Sequence, residues 1–337
     1  MNTDFDWQKM VNRLAGESSI SLLFEVVDRR VSIRSADSEI VKSFEHALSA
    51  WPQLSEADQD CDDIIYGSYV EDYPEILSIT DIAPMRVIDD PSIGKISCYD
   101  MGSVFVFYQH KVGFLIQVQQ NIFICLMDQR GKNILFGNII NVLNMAHVIV
   151  SDIIFRSGKI LVHAGAVASD TECLLISGIG GAGKSTAVLR FVDAGWDFFG
   201  DDLVIVGRKE GKWTVWPYWR PVKVSGQTCR LIPCLSHLAD NIPDNEKKHF
   251  DVDVLFKLRI PEERPIDRIY VINSSFSRSG ELSLLEAFQM LSKTFMYYFS
   301  PAQAEKMLET MLDICDSIPV YAATREEIQN LLFQENK

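Results

Sequence analysis

Residues 178–186 read Gly-Ile-Gly-Gly-Ala-Gly-Lys-Ser-Thr, which satisfies G-x-x-x-x-G-K-[ST] through Gly178, Gly183, Lys184 and Ser185. Each residue type has a chemical reason. Glycines let the chain curl until successive amides face inward at phosphate oxygens. Lys184 can reach the β- and γ-phosphates, and the Ser185 hydroxyl can ligate Mg²⁺. A helix starting here adds the positive end of its dipole. The chemistry expected is nucleotide binding, with Gly178, Gly180, Gly181, Ala182, Gly183, Lys184, Ser185 and Thr186 around the phosphates.

Two further features sit beside this loop. Asp201-Asp202 lies 16 residues beyond Ser185, between the apolar runs 196–200 and 203–206. Adjacent carboxylates at a turn suit phosphoryl transfer. One can accept the proton of an attacking hydroxyl while the other holds Mg²⁺. Ahead of the loop, His163 interrupts the strand-like run 161–167. A lone histidine in an apolar strand is usually structural, so composition alone does not place His163 in the site.

Elements of matching type surround the loop. Residues 173–177 form a short apolar strand pattern, and 186–192 have helical spacing with Val188, Leu189 and Val192 on one face. Gly195 stands where that helix would end.

Together these stretches resemble the catalytic domain of the HPr kinase/phosphorylase family. His-Ala-Gly-Ala-Val at 163–167, the loop at 178–186 and Phe-Gly-Asp-Asp-Leu-Val at 199–204 carry the likeness, strongest between residues 160 and 206. It extends more weakly over 138–333, where Ile318-Pro-Val-Tyr321 is similar to the end of that domain. The resemblance implies an α/β P-loop core of the HPr kinase/PEP carboxykinase type. It also implies the roles: Lys184 and the loop amides on phosphate, Ser185 on Mg²⁺, Asp201 as general base, Asp202 on metal or orientation, and His163 near the transferring phosphate. The likeness is closest to relatives outside the regulatory branch, some of which phosphorylate a serine on a precursor peptide. The Glu-Ile-Arg-Gly-like signature of the regulatory enzymes is replaced here by Gly207-Arg-Lys-Glu-Gly211, and Gly180 stands where those enzymes usually place serine. HPr as substrate, phosphorolysis and a hexamer are therefore not implied, although a homo-oligomer is compatible with the sequence.

The chain has 337 residues, 47% of them hydrophobic, and a formal charge of −14. Residues 1–135 hold 21 Asp and Glu against 11 Lys and Arg, so most of the excess lies there. Such a surface disfavours nucleic acid and anionic membranes as partners. Seven scattered cysteines fit reduced thiols in a cytoplasmic protein. Cys229, Cys234 and His237 are too widely spaced, and lack a fourth ligand, for a zinc site. The first residues, with Asp4, Asp6 and Trp7, do not have the pattern of a signal peptide. Residues 136–155 are apolar enough to raise a membrane span. However, Asn138, Asn141, Asn144, His147 and Ser151 recur as the polar face of an amphipathic helix.

Two domains are expected: α+β with antiparallel strands over 1–137, suited to recruiting an acceptor, and the catalytic domain over 138–337. In the first, 24–33 reads as one strand and 38–50 as a helix capped by Ser38. Residues 52–91 read as a turn-rich acidic stretch, and 96–99, 103–108, 113–119 and 121–127 as a meander. In the second, helices are expected over 284–298, 301–315 and 325–333, with a closing strand at 318–321. The aromatic, basic segment 213–223 fits hairpin packing better than an acceptor site with Arg220 or Lys223. Nothing in spacing selects Arg259, Arg264 or Arg268 as charge stabilisers. The expected function is an ATP- and Mg²⁺-dependent kinase acting on a hydroxyl, most plausibly serine of a peptide or protein acceptor. A small-molecule acceptor, a different donor (ADP or pyrophosphate) and a non-catalytic nucleotide-gated peptide binder remain the alternatives.

Overall fold

The computed structural model describes residues 5–48, 51–55, 60–90, 94–102, 104–109, 113–127, 140–218, 221–244, 246–256, 258, 261–273, 279–293 and 301–334. The chain divides into two compact units, Met1–Ile153 and Ile154–Lys337, each mixed α/β.

The first unit opens with α1 (Trp7–Glu17), whose apolar residues Trp7, Met10, Val11 and Leu14 recur at helical spacing and are buried. Its N-terminus is capped by Asp6, which accepts from the Lys9 amide at 2.9 Å. Then come β1 (Ile20–Val26), β2 (Arg29–Ser35), α2 (Ser38–Ala47), β3 (Asp63–Tyr69), α3 (Pro74–Leu77) and β4 (Arg86–Asp90). Strands β5 (Gly94–Asp100), β6 (Phe105–Gln109), β7 (Gly113–Gln119) and β8 (Ile122–Met127) form the expected antiparallel meander. They join one eight-stranded sheet, ordered β1-β2-β3-β8-β7-β6-β5-β4.

Three expectations for this unit need correction. The single strand over 24–33 is a hairpin, turning at Val27 with φ 61°. A β-branched residue there gives no turn signal, because valine disfavours that region. The helix cap is Asp37, whose Oδ1 accepts from the Glu39 amide at 2.7 Å, and Ser38 is the first helical residue. The acidic stretch contains β3, parallel to both β2 and β8 in the middle of the sheet. Its leading acid, Asp63, is wholly buried and paired with Arg29 at 2.7 Å.

Helix α4 (Ile140–Arg156) carries the chain into the second unit. Ser151 on it is only 7% exposed, so the polar stripe does not face solvent at that end. The side chains of Asn138, Asn141, Asn144 and His147 lie outside the described residues. Among the described residues no helix is long and apolar enough to cross a membrane.

The second unit comprises β9 (Lys159–Val162), β10 (Gly165–Ala168), β11 (Cys173–Gly178), α5 (Lys184–Asp193), β12 (Asp197–Gly200), β13 (Val204–Lys209) and β14 (Lys212–Trp216). There follow β15 (Val222–Val224), α6 (Gly226–Leu231), β16 (Lys248–Phe250), α7 (Val252–Phe256), β17 (Arg264–Pro265), β18 (Arg268–Ile272) and β19 (Gly280–Glu281). Helices α8 (Leu284–Leu291) and α9 (Pro301–Ser317), strand β20 (Val320–Ala323) and α10 (Arg325–Gln334) complete it. Residues 294–300 lie outside the described residues. The strand near 318–321 does not close the sheet. It lies inside it, parallel to β18 on one side and antiparallel to β19 on the other.

In the six-stranded sheet, ordered β12-β10-β11-β18-β20-β19, the inner strands are buried on both faces. Period-two alternation sends Cys173, Leu175, Ile269 and Val271 into one core, shared with the sheet β17-β14-β13-β9 and with α8 and α9. Leu174, Ile176, Tyr270 and Ile272 enter the other core, against α5 and α6.

Several side chains considered for function are structural. Arg264 donates to the Ser169 carbonyl at 2.7 Å, and Arg268 pairs with Glu172 at 2.7 Å. Trp213 is buried in β14, with the Arg208 guanidinium 4.7 Å from its ring centroid. Lys223 pairs in register with His249 between β15 and β16. Trp219, Arg220 and Arg259 lie outside the described residues.

Candidate functional site

Strand pairing dictates where the site residues meet. Strands β9 and β13 pair with Val162 opposite Val204, while β10 and β12 pair with Ala166 opposite Gly200. The chain therefore passes from one sheet to the other twice at the same level, once through 163–164 and once through 201–203. His163 and Asp201-Asp202 occupy those two crossings. His163 Nδ1 lies 3.4 Å from Asp202 Oδ1, with both side chains partly exposed. Beside these crossings, α5 and the 200–201 backbone leave room at 165 only for a glycine. A Cβ there would stand 2.4 Å from Val188 Cγ2 and 3.2 Å from the Asp201 carbonyl oxygen.

The glycine loop reaches the same sheet edge. Gly165 pairs with Ile176 near the end of β11, so the start of β10 and the loop after β11 are neighbours. Gly178, Gly181 and Gly183 have φ of 152°, 78° and 106°, so the loop's path depends on residues without a Cβ. Ile179, Gly180 and Gly181 project into solvent, whereas Ala182 is buried. The Ala182 amide is used internally, donating to the Ile179 carbonyl at 3.1 Å. Helix α5 starts at Lys184 with no side-chain cap, leaving its N-terminal end available to an anion.

Lys184 is 7% exposed and donates to the Gly178 carbonyl at 2.7 Å. Burial pulls its ammonium below the ordinary lysine range, while Asp202 and Asp201 oppose that shift. The nearby Ser185 hydroxyl favours the charged form of the Asp201 carboxylate. Asp201 is 7% exposed, and its Oδ1 is buried without a hydrogen-bond partner. Burial, followed by repulsion from Asp202, pushes the Asp201 carboxyl up to about 7, despite the lowering contributions of Ser185, Lys184 and Lys247. The loop lysine, the loop serine and the carboxylate pair thus form one electrostatically connected cluster, with His163 against Asp202. Thr186 is turned elsewhere: its hydroxyl lies 3.2 Å from that of Thr228 on α6.

The raised Asp201 carboxyl has a consequence for stability. Its folded value of about 7 exceeds the ordinary aspartate value of about 3.9. Its contribution is fully present below pH ~4, and is lost as pH rises through about 7. Without nucleotide or metal, Asp201→Asn should therefore gain on wild type as pH rises from 5 to 8. The gain at pH 8 is on the order of 3 kcal/mol, or several degrees in melting temperature. Parallel melting curves at both pH values would contradict the burial argument.

The donor set suits Mg²⁺. The ion prefers oxygen ligands and takes few protein groups, keeping water and substrate phosphate for the rest. Ser185 Oγ and the partly exposed Asp202 carboxylate supply such oxygens, and the buried, unpartnered Asp201 Oδ1 lies beside them. Among the described residues no cluster of three or more His, Cys, Asp or Glu is arranged to hold a metal alone. Cys229 is buried, and His237 Nδ1 lies 3.0 Å from the Cys234 carbonyl oxygen, a local turn contact.

No family model matches the chain, and no curated protein matches it. Among solved structures, the HPr(Ser) kinase/phosphatase from Coxiella burnetii is similar at 14% identity, over 52% of this chain and 88% of that one. The TM-score is 0.31, too low to bear on the site or its chemistry.

Two residues at this end of the sheet have no signal in the sequence. Lys247, on the exposed segment before β16, lies within Coulombic range of both Asp201 and Lys184. Arg325, the first residue of α10, donates to loop carbonyls 143 and 144 positions earlier in the chain. Lys247 stands beside Lys248 in an ordinary polar stretch, and Arg325 is a single cation at the start of a helix.

Proposed function

We propose that this protein is an ATP- and Mg²⁺-dependent kinase that transfers the γ-phosphoryl group to a hydroxyl, that of serine in a peptide or protein. The observation that supports this most is the cluster of Lys184, Ser185 and the buried Asp201 at the N-terminal end of α5. A nucleotide-binding loop alone would account for Lys184 and Ser185. A desolvated carboxylate beside them is costly to bury and has a natural use as a proton acceptor near neutral pH.

In this reading the free amides at the start of α5 receive the phosphates. Lys184 exchanges its contact with the Gly178 carbonyl for phosphate oxygen. Bound Mg²⁺ would supply charge neutralisation across the phosphates, held by Ser185 and Asp202. Asp201 accepts the proton of the attacking hydroxyl. Asp202 orients His163, whose ring faces the same crossing. Little covalent help is needed, because phosphoryl transfer relies on positioning and electrostatics. We place acceptor recruitment in the first unit.

The test is incubation of purified protein with ATP, Mg²⁺ and the peptides and proteins encoded beside it, followed by mass spectrometry. The expected product carries one phosphate on a serine and requires Mg²⁺ and Lys184. Phosphate on a free metabolite would move the acceptor class. Tight ATP binding with no product across the panel would sink the kinase reading in favour of a nucleotide-gated binder.

A further inference from the structure

The loop carbonyls are held from two sides. Lys184 holds those of Gly178, at 2.7 Å, and Ile179, at 3.5 Å. From the opposite end of the unit's sequence, Arg325 Nε donates to the Ala182 carbonyl at 2.7 Å, and its Nη2 donates to that of Gly181. Arg325 is brought there by the sheet. Strands β11, β18 and β20 are parallel neighbours, with Gly178 level with Ile272 and Ile272 level with Ala323. The residues just after β20 must therefore emerge at the same edge as the loop. A capping interaction then fixes the start of α10: Thr324 Oγ1 donates to Glu327 Oε2 at 2.9 Å, and the Glu327 amide donates back to Thr324 Oγ1 at 3.3 Å. Gly183 completes the fit. A Cβ at that position would lie 2.7 Å from Arg325 Nε and 3.0 Å from its Cδ.

We infer that Arg325 is a positioning residue for the phosphate loop, locking its peptide planes so that the Gly183 amide stays presented to nucleotide phosphates. This rests on the nucleotide-binding reading above. In a planar trans peptide the carbonyl and the following amide point to opposite sides. Holding the Ala182 carbonyl against Arg325 therefore aims the Gly183 amide away from α10. The two cations divide the work. Lys184 must leave its carbonyls when phosphate enters, whereas Arg325 can stay and keep the loop from collapsing during the exchange. Its planar fork suits two consecutive carbonyls in a way a lysine ammonium does not.

The test compares wild type, Arg325→Ala, Arg325→Lys and Lys184→Ala. It uses a fluorescent ATP analogue for affinity and hydrogen exchange of the unliganded protein for loop order. Arg325→Ala should weaken the nucleotide by roughly ten- to hundredfold and speed exchange over 179–184 by about tenfold, with exchange in β18 unchanged. Arg325→Lys, which keeps the charge and some donors, should recover part of both, so a fold that fails in the alanine variant still leaves a comparison. Arg325→Ala binding within about twofold of wild type, while Lys184→Ala weakens it by about a hundredfold, would overturn the positioning role and leave the loop reading standing. A wild type that binds no nucleotide would overturn both.

Discussion

Asp201→Asn should lower phosphoryl transfer by about a thousandfold while leaving nucleotide affinity intact or improved. Asparagine nearly preserves shape but cannot take the acceptor's proton, and it removes a negative charge from the phosphate's surroundings. The wild-type rate should rise with pH as Asp201 loses its proton. Neighbours shift that rise in opposite directions. Asp202 repels the ionised form, so Asp202→Asn should move the rising limb to lower pH. The Ser185 hydroxyl favours the ionised carboxylate, so Ser185→Ala should move it upward. A pH profile in single-turnover mode reads both shifts. Equal transfer by wild type and Asp201→Asn would remove Asp201 from the mechanism.

Lys184→Ala should weaken ATP by about a hundredfold, with the melting temperature changed by only a few degrees. The ammonium is buried and its charged form is disfavoured by desolvation, so removing it relieves one penalty while it frees two carbonyls. Fold and binding should therefore separate. Lys184→Arg should fail to rescue, because a planar fork does not fit a buried seat shaped for a compact ammonium. Titration calorimetry with each variant checks this. Retained affinity in Lys184→Ala would place the phosphates elsewhere.

How much of this was legible in the sequence follows from the range of each interaction. Strand, glycine loop and helix around 173–193 are consecutive, and local pattern suffices to find them. His163 and Asp202 were readable as candidates. Their contact depends on β9 pairing with β13 and β10 with β12, which no local pattern specifies. Strand β3 was hidden because Asp62-Asp63 looks like a surface turn. The burial of Asp63 becomes intelligible only once Arg29, 34 residues away, is beside it. The hairpin at Val27 was hidden by a residue that rarely turns, and the Asp37 cap by a serine next to it that also caps helices. Arg325 was out of reach for a different reason. Its partners are backbone carbonyls, and backbone atoms leave no side-chain signature at positions 181 and 182.

The most direct measurement is a crystal structure with a non-hydrolysable ATP analogue and Mn²⁺, the metal located by its anomalous signal. The expected result puts the terminal phosphates against Lys184 and the start of α5, with the Mn²⁺ peak on Ser185 Oγ and an Asp202 oxygen. A triphosphate bound away from 178–186, or a metal remote from the Asp pair, would contradict the account.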